Sequence, residues 1–537
     1  MDDGSSSART SLAWRDWAAA AALAALVALG VGQRMAPGVV GVIDDDAVYA
    51  VTAIALADGR GYHLTNLPGS PPQTKYPVLY PAVASLAARL ADGLDARLVA
   101  MQRLTAAIGC AALAFAFLYC VRFGLASRGA AFAGGAMVAT APNVLFYCSQ
   151  TLSEMPFALA LVAAMWAVAS REHGPPSPRR DFLAGVLLGL PLLCRTAGVM
   201  IPVGVVVALA ARGRPVRGIA AGSLATALPW FLWVLAATPS GTDTAVAYHT
   251  DYFGWWRTNA SLTVPTWNLW YAGAGFAQIA LEGVARPLYG LTARAGWLLL
   301  PLGCLPWIAV AKRAWRLDAF ATAMLAYLAL LIAWPWPPDR FLVPILPFLA
   351  SLLVDGAYRV ASRVVPARAA ATVVGLLVAG AVVTNAAMLS RYASLTRESG
   401  YPYFNLPEEP IEWRHFREVF DWLDAHTGPA DVVAAGFDTM TSMYTGRPAV
   451  RPFDLRPLSL YYGGAEPPLG SVAEFDDALA RHGARYMVLT PYSMEAPFFD
   501  LVYAASDERP SMLQPVWQSA EDGRFVIFQV VPRQAAR

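Results

Sequence analysis

Three carboxylates stand side by side at Ile43-Asp44-Asp45-Asp46-Ala47-Val48-Tyr49. Charges this close repel, so at least one is expected to hold its proton more tightly than an isolated carboxyl would. Asp is favoured at a helix N-cap, which explains one of the three and not the set. The triplet reads either as a solvated, helix-capping turn or as a general base with an electrostatic or metal-binding neighbour. Downstream, Gln73-Thr74-Lys75-Tyr76-Pro77-Val78-Leu79-Tyr80-Pro81 sets a lysine beside two prolines. A compact ammonium is a good point-charge partner for phosphate; snorkelling at a membrane surface would use the same residue. Glu154 follows Ser149-Gln150-Thr151-Leu152-Ser153 and opens an apolar run, where it could cap a helix or act at membrane depth. Arg195 interrupts the apolar stretch Leu190–Thr196, and Arg340 follows Trp334-Pro335-Trp336-Pro337-Pro338-Asp339. Either arginine could hold a lipid phosphate, and Asp339 could instead neutralise Arg340.

These few charges stand out because charge is scarce. Of 537 residues, 57% are hydrophobic and 15% charged, with a mean hydropathy of +0.44. Soluble chains carry roughly 25% charged residues. The composition excludes a disordered chain, a nucleic-acid binder and an ordinary cytosolic enzyme, and points to an integral membrane protein. Residues 1–390 hold 27 basic and 18 acidic residues; 391–537 hold 13 and 20. A basic membrane region is thus followed by an acidic segment of 147 residues, long enough to fold alone. Of the 40 basic residues only Lys75 and Lys312 are lysines. The five cysteines lie in or beside apolar runs with no CxxC spacing, which fits buried small hydrophobes and not a metal or redox site.

Eleven apolar segments are read as spans: 17–35, 98–120, 129–147, 155–170, 182–194, 198–211, 218–237, 295–311, 318–334, 341–358 and 369–389. The fifth and sixth are short and meet at Cys194-Arg195-Thr196, which suggests a bent or re-entrant pair. Arginines mark every second loop, together with Arg9 and Arg15. The positive-inside rule makes these loops cytoplasmic and puts the N-terminus in the cytoplasm and the tail outside. The outer side then carries loops 36–97, 148–155 and 238–294. Val48–Ala57 and Pro81–Leu90 are amphipathic and suited to an interface. Loop 238–294 holds Tyr248, Tyr252, Trp255, Trp256, Trp267, Trp270 and Tyr271, an interfacial belt or the wall of a groove. His63 and His249 have no close acidic spacing and are expected at the surface. The tail alternates strand and helix signals: Val432–Ala435, Val472–His482, Tyr486–Leu489, and a hairpin of Trp517–Ala520 with Phe525–Val530. It reads as a small α/β domain without a catalytic constellation.

Together these residues resemble a known family. Asp45-Asp46-x-x-Tyr49 looks like the Asp-Glu-x-x-Tyr element of GT-C glycosyltransferases, with the lipid A aminoarabinose transferases and protein O-mannosyltransferases as nearest cousins. Lys75-Tyr76-Pro77-Val78-Leu79-Tyr80-Pro81 is similar to the family's Lys-Pro-Pro-Leu-Tyr segment. Ser153-Glu154-Met155-Pro156 sits where these enzymes carry a second acidic residue. Arg340-Phe341-Leu342-Val343-Pro344-Ile345-Leu346-Pro347 resembles their Arg-Tyr-x-x-Pro-x-x-Pro helix start. Two departures are the Asp at position 46 and the Tyr between Lys75 and its proline.

The resemblance implies a mainly α, polytopic GT-C fold of about 11 transmembrane helices over 1–390, in the inner (plasma) membrane. A small extracytoplasmic α/β domain over 391–537 would follow, with the active site on the outer face. It implies an inverting glycosyltransferase that moves a sugar from a polyprenyl-phosphate donor to a hydroxyl of a cell-envelope acceptor. Asp45 would be the base and Asp46 its catalytic neighbour. Lys75, Arg195 and Arg340 would hold the donor phosphate. Asp44, Glu154, Tyr49 and Tyr76 would orient the acceptor or a metal. A divalent cation (Mg or Mn) is the one cofactor this set could take, through Asp45, Asp46 and Glu154. The partners implied are the lipid-linked donor, the acceptor and the bilayer, with no nucleic acid. A polytopic transporter or lipid-linked-substrate flippase is the alternative; it needs polar groups near the midplane of several spans, where only Arg195 falls. The base assignment predicts that Asp45→Asn lowers the transfer rate at least ~100-fold, measured by radiolabelled sugar transfer. Lys75→Ala should weaken use of the donor, and an unchanged donor affinity and rate would remove the lysine's phosphate role.

Overall fold

The apolar runs fold as helices, and the breaks between them coincide with Arg, Pro and Gly. A computed structural model describes residues 11–174, 177–240, 244–284, 295–491 and 495–531. Each of the eleven apolar segments falls on a helix or a helix pair. Length and composition support fewer spans. Six helices among the described residues are long and apolar enough to cross a bilayer: Trp14–Arg34, Leu94–Arg122, Glu154–Glu172, Arg217–Ala237, Asp339–Ala361 and Ala367–Ser399. A seventh span results if Arg128–Thr140 and Pro142–Ser149, bent by 66°, are one crossing. The shortfall from eleven has visible causes. Helix Pro178–Cys194 stops where Arg195 takes up extended backbone (φ −149, ψ 134). The chain then turns through a short 3-10 stretch, Thr196–Val199, into Met200–Ala211. Gly198 lies so close to Pro191 that a Cβ would collide with its backbone, so the two pieces fold back on each other. Ala319–Ile332 has only 14 residues.

The outward faces are apolar and uncovered, as lipid contact demands. Helix Arg217–Ala237 exposes Leu224, Leu228, Phe231 and Leu232, and helix Ala367–Ser399 exposes Val373, Leu376, Leu377 and Val383. The chain is an integral membrane protein. The arginine-bearing loops gather at one end of the helices. Arg171 reaches Asp181 and the Pro215 carbonyl, Arg313 reaches the Gly124 carbonyl, and the Ser127 amide donates to Asp355.

Of the two stretches expected at a membrane interface, Val48–Ala57 is buried instead, whereas Pro81–Leu90 leaves Leu86 and Leu90 exposed. Helix Asp45–Ala57 buries all but its last turn and Asp45 itself, packed against Leu79–Ala88 on one side and Asp438–Thr445 on the other. Its sequence is apolar nearly all round, which suits burial better than an interface.

Beyond helix Ala367–Ser399 a five-stranded mixed sheet forms, in the order β2-β1-β3-β5-β4. Strands β1 (Val433–Ala435), β2 (Ala449–Val450) and β3 (Tyr486–Leu489) are parallel. β4 (Leu513–Gln518) and β5 (Val526–Val530) complete it as an antiparallel pair, with β5 against β3. β1, β3, the second arm of the hairpin and the helix Val472–Arg481 lie where the alternation places them, whereas the hairpin's first arm, expected at Trp517–Ala520, is the earlier strand β4. That helix starts with a capping box from Ser471 and Glu474, and Gly483 after it has φ +59. β2 has two residues and gives no sequence signal, yet it decides where the sheet meets the membrane half. Val450 packs with Val48, Leu64 and Leu67, and the Ala449 amide donates to the Asn66 carbonyl.

Helices Pro178–Cys194 and Arg217–Ala237 pack backbone to backbone through glycine. A Cβ at Gly222 would strike the Phe182 carbonyl, and one at Gly185 the Ile219 carbonyl. Gly222→Leu should therefore cost about 1–3 kcal/mol, seen as a lower Tm in detergent. Gly375→Leu, on a face with nothing within 4 Å, should leave Tm unchanged.

Candidate active site

The aspartate triplet does not share one environment; each carboxylate has its own partners. Asp46, fully buried, turns back on the preceding loop and accepts from the amides of Gly41, Val42 and Ile43 at 2.7, 3.2 and 3.0 Å. Burial nevertheless pushes its carboxyl up to about 6. Asp45 points the other way. Its oxygens accept from Tyr76 Oη (2.5 Å) and Arg340 Nη1 (2.5 Å). Burial raises this carboxyl, but Arg340, the Tyr76 hydroxyl, Lys75 and Arg195 outweigh it and hold it below the usual carboxylate range. Asp44 takes a third direction, to Arg451 Nη2 at 2.6 Å. Its backbone lies at φ 71, ψ −58, a strained γ-turn region for a residue with a Cβ. Such a conformation costs about 1–3 kcal/mol and persists only where the surroundings impose it.

The triplet faces a cavity of about 740 Å³ between the helix ends and the sheet segment. Asp44, Asp45, Tyr49, Lys75, Tyr76, Arg195 and Arg340 all line it. Asp46 and Glu154 do not. Glu154 is fully buried behind the wall, where one oxygen accepts from Arg195 Nη1 (2.5 Å) and from Arg340 Nε. It sets the direction of two arginines. Tyr49, one turn after Asp45 on the same helix face, donates to Ser153 Oγ at 2.8 Å, and Arg195 reaches that oxygen at 3.3 Å. The spacing Asp45-x-x-x-Tyr49 therefore places a carboxylate and its supporting phenol over the loop that delivers Glu154.

Lys75 differs from the cavity's arginines. It is 6% exposed, and no carboxylate among the described residues pairs with it. Its ammonium donates to the Tyr248 carbonyl at 2.7 Å and lies 3.8 Å from the Tyr248 ring centre, with Tyr76 and Trp255 at 5.3 and 5.6 Å. Aromatic faces hold a cation without cancelling its charge. Burial pulls its pKa down to about 8, against the pull of Asp45 and Asp44. The strand-like loop that carries it is tied down on both sides. Gln73 Oε1 accepts from the Lys75 and Tyr76 amides, Thr74 Oγ1 donates to the Thr250 carbonyl, and Trp233 donates to the Gln73 carbonyl.

Of the aromatic residues noted in segment 238–294, Tyr248, Tyr252, Trp255, Trp270 and Tyr271 line the cavity, whereas Trp256 and Trp267 do not. Tyr252 stacks on Trp334 at 4.7 Å and Trp255 on Trp336 at 5.7 Å, so two separated loops build one wall.

Sequence reasoning missed three residues. His249, expected at the surface, is fully buried, with Nε2 3.1 Å from Asp438. Asp438 and Arg451 come from the segment read as lacking a chemical constellation. Burial pushes the Asp44 carboxyl above the usual range despite Arg451; Asp438, equally buried, is held low by His249 and Arg451. His63 stays near the surface, its ring against the Arg60 carbonyl.

As for metal, no group of three or more His, Cys, Asp or Glu among the described residues is arranged to hold an ion. Asp45 and Glu154 are joined through Arg340, and Asp46 is spent on amides. In this arrangement the carboxylates do not fit a divalent cation.

No known family profile matches the chain, and no curated protein sequence matches it. Solved structures do. ArnT from Cupriavidus metallidurans, bound to undecaprenyl phosphate, aligns over 96% of this chain and 98% of its own, with TM-score 0.53 and 14% identity. The Archaeoglobus fulgidus oligosaccharyltransferase in complex with Zn and sulfate aligns over 94% and 72%, with TM-score 0.56 and 13% identity. The same archaeal enzyme with an inhibitory peptide and a dolichol-phosphate aligns over 96% and 74%, with TM-score 0.55 and 12% identity. All are GT-C glycosyltransferases, so the fold of this chain is the GT-C fold.

With two lysines in the chain, the Lys75 ionisation can be read directly. Carbamylation by cyanate, a small reagent that enters the cavity, should modify Lys75 with a midpoint near pH 8, followed by peptide mass spectrometry.

Proposed function

We propose that this chain of GT-C fold is an inverting glycosyltransferase that takes its sugar from a polyprenyl-phosphate donor and gives it to a hydroxyl of a cell-envelope acceptor. The observation that carries the reading is the pairing, in one cavity, of a carboxylate held ionised with a buried ammonium that has no carboxylate partner among the described residues. The Cupriavidus ArnT was crystallised with undecaprenyl phosphate and the archaeal enzyme with dolichol-phosphate, which supports a lipid-linked phosphate as the ligand class. A flippase or transporter reading is not favoured.

Asp45 accepts the acceptor's proton while the hydroxyl oxygen attacks the anomeric carbon. The bond from that carbon to the phosphate oxygen breaks on the opposite face, and its electron pair leaves with the polyprenyl phosphate. Because Arg340 keeps Asp45 a weak base, proton transfer lags behind bond formation, and the departing phosphate supplies most of the driving force. The phosphate gains one negative charge as Asp45 loses one. Arg340 faces both: Nη1 holds Asp45, Nε holds Glu154, and Nη2 has no acceptor. Its attraction can shift from carboxylate to phosphate as the charge moves, with Lys75 as the second cation. Arg195 supports Glu154 and the end of the site beside Phe341. Tyr76 holds the second Asp45 oxygen, Tyr49 and Glu154 fix the arginine side, Asp44 anchors the loop, and Asp46 shapes it. No step uses a metal.

The membrane region is 1–390, with further short helices completing eleven crossings, and 391–537 is an outer α/β domain. The N-terminus is cytoplasmic and the cavity opens on the extracytoplasmic side of the inner membrane, opposite the arginine-marked loops.

Purified protein in lipid nanodiscs, given radiolabelled polyprenyl-phosphate sugars and envelope acceptors, should form product with inverted anomeric configuration. Raising the pH through about 8 removes the Lys75 proton and with it the cation for the phosphate, so kcat/KM for donor should fall there. Lys75→Arg should lose that alkaline limb. Retained configuration, or a pH profile that Lys75→Arg leaves unchanged, would contradict the reading.

A further inference from the structure

On one wall of the cavity, where Asp44 and Arg451 line it, stands a second ionic cluster built from three distant parts of the chain. Arg451, 5% exposed, binds Asp44 at 2.6 Å and lies 3.5 Å from Asp438. Asp438 in turn meets His249. Arg451 also lies 4.7 Å from the ring centre of Tyr248, the ring that carries the Lys75 ammonium. One tyrosine therefore touches both cations.

The same region of the C-terminal segment grips the loop before the triplet at several other points. Tyr444 Oη donates to the Gly38 carbonyl (2.6 Å) and accepts from the Val40 amide (3.1 Å). Gly41, at φ +112, lies against Met440 so closely that a Cβ would collide with it. Thr439 Oγ1 accepts from Asn66 at 3.2 Å. The loop is thus held from Gly38 to Asp44 by helix Asp438–Thr445 and by Arg451, which follows β2. The strained backbone at Asp44 is the point where this grip ends and the helix bearing Asp45 begins. A residue at φ 71 stays there only where its surroundings impose it, and here the loop's own bonds to Asp46 are joined by the contact with Arg451. Among the described residues the one ionic contact of the Asp44 side chain is Arg451, and it comes from 407 residues away.

We propose that Arg451 is a positioning residue. By holding Asp44 in its strained conformation, it aims the next residue, Asp45, into the cavity, so that the docked C-terminal segment completes the active site. This deepens the glycosyltransferase reading and rests on it for the role of Asp45; the coupling of Arg451 to the loop does not. Removing the guanidinium frees Asp44 to relax toward ordinary backbone angles, which rotates the start of the helix. The donor phosphate should still bind, because Lys75 keeps the Tyr248 carbonyl and Arg340 keeps Glu154. The loss should therefore appear in kcat and not in donor KM.

The test compares wild type, Arg451→Gln, Asp44→Asn and the double variant, all as full chains in nanodiscs, by hydrogen–deuterium exchange and by sugar transfer. In Arg451→Gln, exchange over residues 41–48 should rise at least tenfold while helix Leu94–Arg122 keeps its protection. The kcat should fall at least tenfold with donor KM within twofold. Asp44→Asn should do the same in part, and the double variant should be no worse than Arg451→Gln, as expected for two members of one interaction. Unchanged exchange over 41–48, a kcat within twofold of wild type, or a loss in KM alone would overturn the proposal. Should Arg451→Gln not fold, Asp44→Asn alone decides by the same two readouts. If wild type transfers no sugar from any polyprenyl phosphate, the glycosyltransferase reading fails, and the exchange measurement still judges the coupling.

Discussion

Three adjacent carboxylates cannot be buried together unless each is given a different counterpart. This constraint organises the centre of the molecule. Asp46 takes backbone amides, Asp45 takes Arg340 and Tyr76, and Asp44 takes Arg451. Asp45 and Asp46 diverge because successive helical residues point roughly 100° apart, and the positive φ at Asp44, just before the helix, turns the third side chain away from both. The counterparts come from four separate regions: the preceding loop, the segment around Tyr76, the start of helix Asp339–Ala361, and the sheet segment. Satisfying the charges of the triplet therefore fixes how those regions meet.

The remaining charges of the cavity follow from the same requirement. Arg340 is shared between Asp45 and Glu154, and Glu154 also takes Arg195. Each arginine is answered by a carboxylate. Lys75 is answered by aromatic rings and a carbonyl instead. A buried cation without an anion is costly, and its place beside an ionised base makes sense for a site whose ligand brings the anion. The aromatic wall of Tyr252, Trp255, Trp334 and Trp336 keeps that part of the cavity apolar enough for the charges to count.

Much of the site was legible in the sequence because charge is scarce there. Against a background of apolar helices, Asp44–Asp46, Lys75, Glu154, Arg195 and Arg340 were the charges that membrane topology left over, and the structure gathers them around one cavity. Their division of labour was not legible. Glu154 reads as facing a substrate, yet it sits behind the wall and holds arginines. His249, Asp438 and Arg451 escaped notice because an ion pair across 407 residues leaves no local pattern. The strands were readable from alternation and turn residues, except the two-residue β2, which carries the chain to Arg451. Eleven apolar segments were readable too, but hydropathy does not measure helix length, and among the described residues six helices are both long and apolar enough to cross a bilayer.

The central claim is that the cavity binds a lipid phosphate between the Arg340–Asp45 pair and Lys75. A cryo-EM structure of the protein in nanodiscs with undecaprenyl phosphate measures this most directly. The account predicts phosphate density in hydrogen-bond reach of both Lys75 Nζ and Arg340 Nη2, with Asp45 still facing the same space. Phosphate density at another site, with Lys75 still bound only to the Tyr248 carbonyl and its rings, would contradict it.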